Sequence, residues 1–189
     1  MRQPIRVYRL RADAERFSWL GVERSEMRPL ALILEGNSLR DRWVPPIVSR
    51  IVDDELPQGE LGDYPFLEGA PALSKRAVDA LLDVLAESAE FLPLNCDAGE
   101  YYVMNITRVV DALDEAASEL KRFESSGRVM EVMRHVFVPE RLTGYAIFKI
   151  PQTPRAPVFV TEDFRRRVLA AGLAGFRFDL VWEEGAREA

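Results

Sequence analysis

His135 and Cys96 are the only histidine and the only cysteine in this 189-residue chain, so side-chain chemistry would have to be built on them or on its carboxylates. His135 lies in Met133-Arg134-His135-Val136-Phe137, a predicted strand on which it shares a face with Met133 and Phe137. No His/Cys/Asp spacing of a known metal site surrounds it, and one cysteine rules out a cysteine-built zinc centre. A general base at His135 would need an orienting carboxylate brought from elsewhere in the chain. A structural or surface role is the expectation; the base role belongs to an enzymatic alternative. Cys96 precedes Asp97 and has no arginine or histidine close by in sequence to lower its pKa, which predicts an unreactive thiol. The chain has no Gly-x-Ser-x-Gly elbow, no Gly-Lys-Ser/Thr phosphate loop and no Gly-x-Gly-x-x-Gly turn. Asn105-Ile106-Thr107 matches a glycosylation acceptor, which matters only in a secreted protein. Arg165-Arg166-Arg167 lacks interleaved aromatics and reads as a solvated helix face.

One carboxylate pattern stands out. Asp79, Asp83 and Glu87 recur at i, i+4 and i+8 and fall along one face of a predicted helix. Like charges so spaced cost roughly 0.2–0.5 kcal/mol per pair. Lys75 is placed to offset Asp79. The pattern fits either a solvated face or a stripe that meets a partner. Glycosidase chemistry also uses carboxylate pairs, but it needs a groove and an environment that splits their pKa values, which an exposed helix face does not supply.

The elements that position these groups follow from periodicity. Ile5 to Leu10 reads as a strand, as do Leu30-Ala31-Leu32-Ile33-Leu34 and residues 47–52. The acidic, turn-rich stretch from Asp53 to Gly62 marks a subdomain boundary. Ser74 is an N-cap for a helix to about Glu87, with Val78, Leu81, Leu82 and Leu85 as its apolar stripe. Two short strands, 90–94 and 100–105, flank a turn at Asn95-Cys96-Asp97-Ala98-Gly99. Val109 to Ala117 fits a helical turn, and the stretch to Phe123 fits helix or strand. Strands are expected at 129–138, 145–150 and 158–160. Thr161 then caps a helix with Glu162 and Asp163 in its first turn, Phe164, Val168 and Leu169 on its buried face, and Gly172 at its end. In the last strand, Phe176, Phe178, Leu180 and Trp182 alternate onto one face. Strands and helices interleave without βαβ spacing, so the expected class is α+β, a mostly antiparallel sheet with a few short helices. Residues 1–59 are expected to form a β-rich N-terminal segment packed on a domain at 60–189.

Charge is uneven. Residues 1–59 carry net +1, residues 60–115 net −9 and residues 116–189 net +2, within a formal total of −6. An acidic middle disfavours nucleic acid and anionic membrane and favours a basic partner. No apolar run approaches a membrane span, the first residues hold no secretory pattern, and the lone cysteine suits a reducing compartment, so a cytoplasmic location is expected.

Several stretches, taken in order, resemble a known family. They are Gly62-Asp63-Tyr64-Pro65 followed by Leu73 to Leu81, Glu100 to Thr107 running into Val109 to Asp114, Ile147 to Pro151, and Val158 to Thr161 continuing through Ala171 to Phe178 and Val181-Trp182. Their series and spacing are similar to immunity protein family eleven of bacterial polymorphic toxin systems, formerly a domain of unknown function, over residues ~60–183. The resemblance implies a protein that neutralises a cognate toxin by binding it and thereby protects the producing cell. It carries over no catalytic residue.

The resulting expectation is a stoichiometric inhibitor with no cofactor and no metal, whose partner is a cognate toxin encoded nearby. The −9 segment suits a basic toxin such as a nuclease. Its docking surface is assigned to Asp79, Asp83, Glu87, Asp97, Glu100, Asp111 and Asp114, with Trp19 and Trp43 as aromatic anchors or core residues. The alternatives are a small enzyme that reverses or blocks a toxin's modification with His135 as base, and an adaptor module of a secretion system.

Overall fold

The computed structural model describes residues 3–186 apart from 24–26, 28–29, 31–32, 34–35, 69 and 156. Strand β1 (Arg6–Ala12) lies between β12 (Val158–Thr161) and β13 (Phe176–Glu183), and β11 (Ile147–Phe148) extends the far side of β12. Every pairing in this sheet is antiparallel. A second antiparallel sheet has the order β5 (Ala72–Ser74), β8 (Tyr101–Ile106), β6 (Ala89–Pro93). A third has the order β4 (Phe66–Leu67), β2 (Trp19–Val22), β3 (Ile47–Arg50), β7 (Asn95–Cys96), antiparallel at its centre and parallel at both outer pairs. Strands β9 (Glu119–Arg122) and β10 (Val129–Arg134) form a separate two-stranded ribbon. Two helices, α1 (Lys75–Leu85) and α2 (Glu162–Ala170), complete the labelled elements, giving the mixed, mostly antiparallel α+β fold that the sequence predicts.

The period-two alternation of the first sheet divides the core into layers. Tyr8, Leu10, Ile147 and Val160 point to one face and pack with Leu81 and Leu85 of α1 and Phe164 and Val168 of α2. Val7, Phe148 and Phe159 point to the other, where Val110, Leu113 and Phe137 cover them. A further cluster joins Leu20 and Val48 to Leu92 and Val103. Strand β8 serves two layers, with Val103 in this last cluster and Met104 and Ile106 beneath the helices.

Several local expectations needed revision. Of residues 30–34, Leu30 and Ile33 are helical rather than strand and are buried three apart; the others lie outside the described residues. Residues 109–114 are extended rather than helical, with Val109 bridging Lys149 and Leu113 bridging Phe137, and only 115–117 make a turn, closed by the Ser118 amide donating to the Asp114 carbonyl at 2.9 Å. Residues 119–122 resolve as strand. The stripe of α1 is Ala77, Val78, Leu81 and Leu85, while Leu82 is 50% exposed. Its place in the buried row goes to Ala77, which is small enough for close packing. Thr161 starts α2 but does not cap it, because its hydroxyl donates to the Tyr145 carbonyl at 3.1 Å. Leu169 is exposed, and Gly172 closes the helix with φ of +61°. In β13 the alternation breaks near its end. An extra residue between the partners of Val7 and Tyr8 sends Trp182 to the layer of Val7, opposite Phe176 and Phe178, and Leu180 is 52% exposed.

Candidate partner interface

Helix α1 begins where Ser74 accepts a hydrogen bond from the Ala77 amide at 3.1 Å, as its sequence position predicts. The same hydroxyl donates to Asp63 Oδ1 at 2.7 Å, so the cap is tied to the loop before β4. With Ala77, Leu81 and Leu85 turned inward, Asp79 and Asp83 are turned to solvent, and Glu87 follows just beyond the helix, also exposed. The Lys75 amide donates to the Glu100 carbonyl at 2.9 Å, which sets Glu100 and the turn holding Asp97 beside the N-terminal end of α1. Asp79 and Asp83 thus line the helix, Glu100 joins its N-terminal end with Asp97 three residues earlier in the adjoining turn, and Glu87 lies past its other end.

Two of these five carboxylates have cationic partners. Lys75 Nζ lies 2.6 Å from both oxygens of Asp79. Arg167 of α2 pairs with Asp83 and donates to the Ala80 carbonyl at 3.0 Å. Among the described residues, Glu87, Asp97 and Glu100 have no ion-pair partner. Leu82 sits about 60° round the helix from Asp79, so an exposed apolar side chain borders the acidic row.

Asp111 and Asp114 are elsewhere. Both sit on the segment whose Val110, Ala112 and Leu113 cover the opposite face of the first sheet. Asp111 accepts from Gln152 at 3.2 Å and lies 3.7 Å from Arg141. Asp114 accepts the Ala116 and Ala117 amides at 3.1 Å each, an Asx turn that shapes the backbone locally. Trp19 and Trp43 are half-buried. The first donates to the Ala14 carbonyl and packs on Phe66, and the second donates to the Pro93 carbonyl.

The arginine run of α2 is accounted for within the molecule. Arg165 pairs with Glu162 at 3.0 Å and lies over the Tyr8 ring, Arg166 pairs with Asp163, and Arg167 takes Asp83. Sequence reading could not foresee that this run answers part of the acidic row, since Arg167 and Asp83 come from different helices.

His135 is half-buried against the rings of Phe137 and Phe159, at 5.8 and 5.2 Å between centroids. Burial first, and then the Arg9 guanidinium, pulls its imidazole down to about 4. Such a group is neutral at pH 7 and a weak base, which suits the structural role. Between about pH 6.5 and 4 the unfolded chain binds a proton that the folded histidine refuses. His135 therefore draws stability away as pH falls through that window and has no such effect above it. An NMR titration of this ring is expected to show a midpoint near 4; a midpoint at 6 or above would remove the buried, Arg9-facing histidine from this picture.

Cys96 is half-buried on β7, and desolvation raises its thiol pKa, in keeping with low reactivity. No group of three His, Cys, Asp or Glu side chains among the described residues is placed to hold a metal ion. No helix among them is long and apolar enough to cross a membrane. Two buried polar residues to which the sequence assigned no structural role anchor the N-terminal region. Buried Lys149 donates to the Ile33 carbonyl at 3.1 Å, with burial lowering its ammonium to about 8. Buried Asn105 donates to the Asn37 carbonyl and to Glu90, which also accepts from Ser38 and the Leu39 amide. Their signal in sequence is a polar side chain at an inward strand position, readable only once the strand faces are known.

The protein is an α+β body whose first helix presents an acidic face with an exposed leucine. Residues 47–182 match the immunity protein family (Imm11), and the chain belongs to that family. No curated protein matches the chain. The match reaches further toward the N-terminus than the sequence resemblance did and takes in β3. Membership implies an immunity protein that neutralises a cognate toxin, and such proteins are typically inhibitors that act by binding rather than enzymes.

Proposed function

We propose that the protein forms a stoichiometric complex with a basic toxin domain, a nuclease being the class that its charge suits best, in the cytoplasm of the producing cell. The docking surface in this reading is the outward face of α1 with the adjoining turn: Asp79, Asp83, Glu87, Asp97 and Glu100 around Leu82. The observation that carries it is Leu82, half exposed beside carboxylates of which three have no cationic partner among the described residues. An apolar centre with a charged rim is the usual anatomy of a protein interface. The rim charges steer encounter, and Lys75 and Arg167 leave the row net acidic. Asp111 and Asp114, across the sheet, lie outside this surface.

The test uses the purified product of the neighbouring toxin gene. Stopped-flow association is expected to slow by about tenfold or more between 50 and 500 mM salt, as screening of steered encounter requires. The triple variant Asp79→Lys, Asp83→Lys, Glu87→Lys is expected to slow it by a similar factor at low salt, while Leu82→Ala mainly speeds dissociation. The triple variant also sets Lys75 and Arg167 against like charges, so an unchanged far-UV spectrum and cooperative unfolding, rather than an unchanged thermal midpoint, serve as its folding control. A salt-independent rate, or an unaffected triple variant, removes α1 from the interface. Protection by much less than one equivalent would end the stoichiometric reading altogether.

A further inference from the structure

On the far side of the molecule's charge balance lies a groove of about 350 Å3 between the end of β1 and strand β4. Its charged lining side chains are Arg9, Arg11 and Arg155, with no carboxylate among the lining residues, in a chain of net charge −6. Arg9 and Arg155 form no ion pair with any described residue. Arg11 reaches only Asp179, at 3.4 Å, and that carboxylate is also held by Arg177 at 3.1 Å. Leu10, Phe66 and Val158 add apolar wall.

The backbone around the groove is incompletely paired. Strand β12 begins at Val158, opposite Leu10, so along Arg11 and Ala12 strand β1 has β13 as its neighbour on one side and, among the described residues, no strand on the other. Strand β4 is an outermost strand of its sheet. Two strand edges thus border one cationic slot. Arg9 and Arg11 are two residues apart on one strand face, which repeats at about 6.8 Å, the spacing of alternate side chains on any extended chain laid beside them.

We propose that this groove is a docking slot for an extended acidic segment of a partner protein. The segment adds as a strand at the groove edge, turns carboxylates at alternate positions toward Arg9, Arg11 and Arg155, and lays the intervening side chains on the apolar wall. A short segment with two or three carboxylates matches the charge in the slot. A nucleic acid would carry many more phosphates past an otherwise acidic surface and be repelled by it. The slot is separate from the α1 face, so it stands or falls independently of the toxin reading above.

The probe is a fluorescein-labelled, end-blocked hexapeptide alternating glutamate and valine, titrated with the whole 189-residue chain by anisotropy and by amide NMR. Saturable binding is expected, with amide shifts concentrated in residues 9–12 and 64–71, and at least a tenfold loss of affinity in Arg9→Glu/Arg155→Glu. Should that variant fail to fold, Arg9→Gln/Arg155→Gln is expected to lose at least threefold. The proposal is overturned by absent binding at millimolar protein, by equal binding of the lysine–valine peptide, by undiminished binding in the folded arginine variant, or by an eight-nucleotide single strand that binds more tightly and displaces the peptide.

Discussion

Replacing Phe159 by alanine is expected to lower the unfolding free energy by about 4 kcal/mol, the middle of the range for a buried phenylalanine cut back to a methyl group. The ring is fully buried on β12, stacked on Phe148 at 5.6 Å and met edge-on by Phe137 at 5.5 Å. Strands β1 and β11 hold the backbone on both sides, so the layer has little freedom to collapse into the space left behind. Phe159→Leu keeps most of the volume and is expected to cost about 1–2 kcal/mol. Urea denaturation at pH 7 measures both. A loss below about 1.5 kcal/mol for the alanine variant would mean that the aromatic layer relaxes far more than its packing indicates. The same variant opens His135 to water, and its titration midpoint is expected to move up toward 6.5 as the desolvation that depresses it is relieved.

The second large effect is expected at Asp63, and here it is polar in origin. Its carboxylate accepts from Ser74 at 2.7 Å, from the Ala174 amide at 2.9 Å, and from Arg76 at 3.1 and 2.6 Å. These bonds join the start of α1 to the chain just beyond α2, and Arg76 also donates to the Gly172 carbonyl. Gly175 completes the junction. A Cβ there would lie 3.1 Å from the Tyr64 carbonyl oxygen, and its φ is +89°, so glycine is required on both counts. The Asp63 side chain is 10% exposed while that of Arg76 is 60% exposed. On removal of the carboxylate, the arginine regains water but the Ala174 amide and the Ser74 hydroxyl lose a partner. Asp63→Ala is therefore expected to cost about 3 kcal/mol, at the lower edge for breaking a buried ion pair.

The pH dependence of that variant is a separate check. Burial by itself would raise the Asp63 carboxyl, but Arg76, the Ala174 amide and Ser74 outweigh it and hold the group below its usual 3.8. The stability so gained is present in full above that value and is lost as pH falls through the folded-state pKa, where the native carboxylate takes up its proton. The parent and Asp63→Ala should consequently converge in stability as the solution is acidified. A constant gap across the acid range, or a loss under 1 kcal/mol at pH 7, would count against the clamp.

Features set by neighbours close in sequence were legible before any tertiary structure. Ser74 caps α1 because its hydroxyl needs only an amide three residues on, and Phe164 and Val168 are buried because four residues bring a helix back to the same face. Strands β6 and β8 pair as expected, although Asn95 and Cys96, read as part of the turn, instead pair with β3, and the α+β class followed from the order of such local patterns. Other features depended on partners that local pattern does not contain. Residues 109–117 fit a helical turn in sequence, yet bridges to Lys149 and Phe137 hold 109–114 extended and leave a turn only at 115–117. Leu82 is apolar and correctly spaced, but the space beneath α1 is filled by Ala77, Val78, Leu81 and Leu85, which leaves it at the surface beside Asp79.

The candidate surfaces divide along the same line. Sequence determined that Asp79 and Asp83 would line one side of a helix, which stops at Leu85 and so leaves Glu87 beyond its end, and the order of its motifs pointed to the immunity family. Only tertiary structure brought Glu100 and the Asp97 turn to that helix, placed Asp111 and Asp114 across the sheet, and paired Asp83 with Arg167. It alone revealed that β12 stops short of Arg11. The physical reason is range. Backbone hydrogen bonding and side-chain periodicity act within a few residues, whereas charge neutralisation, burial and strand-edge exposure depend on which distant segments the closed core brings into contact.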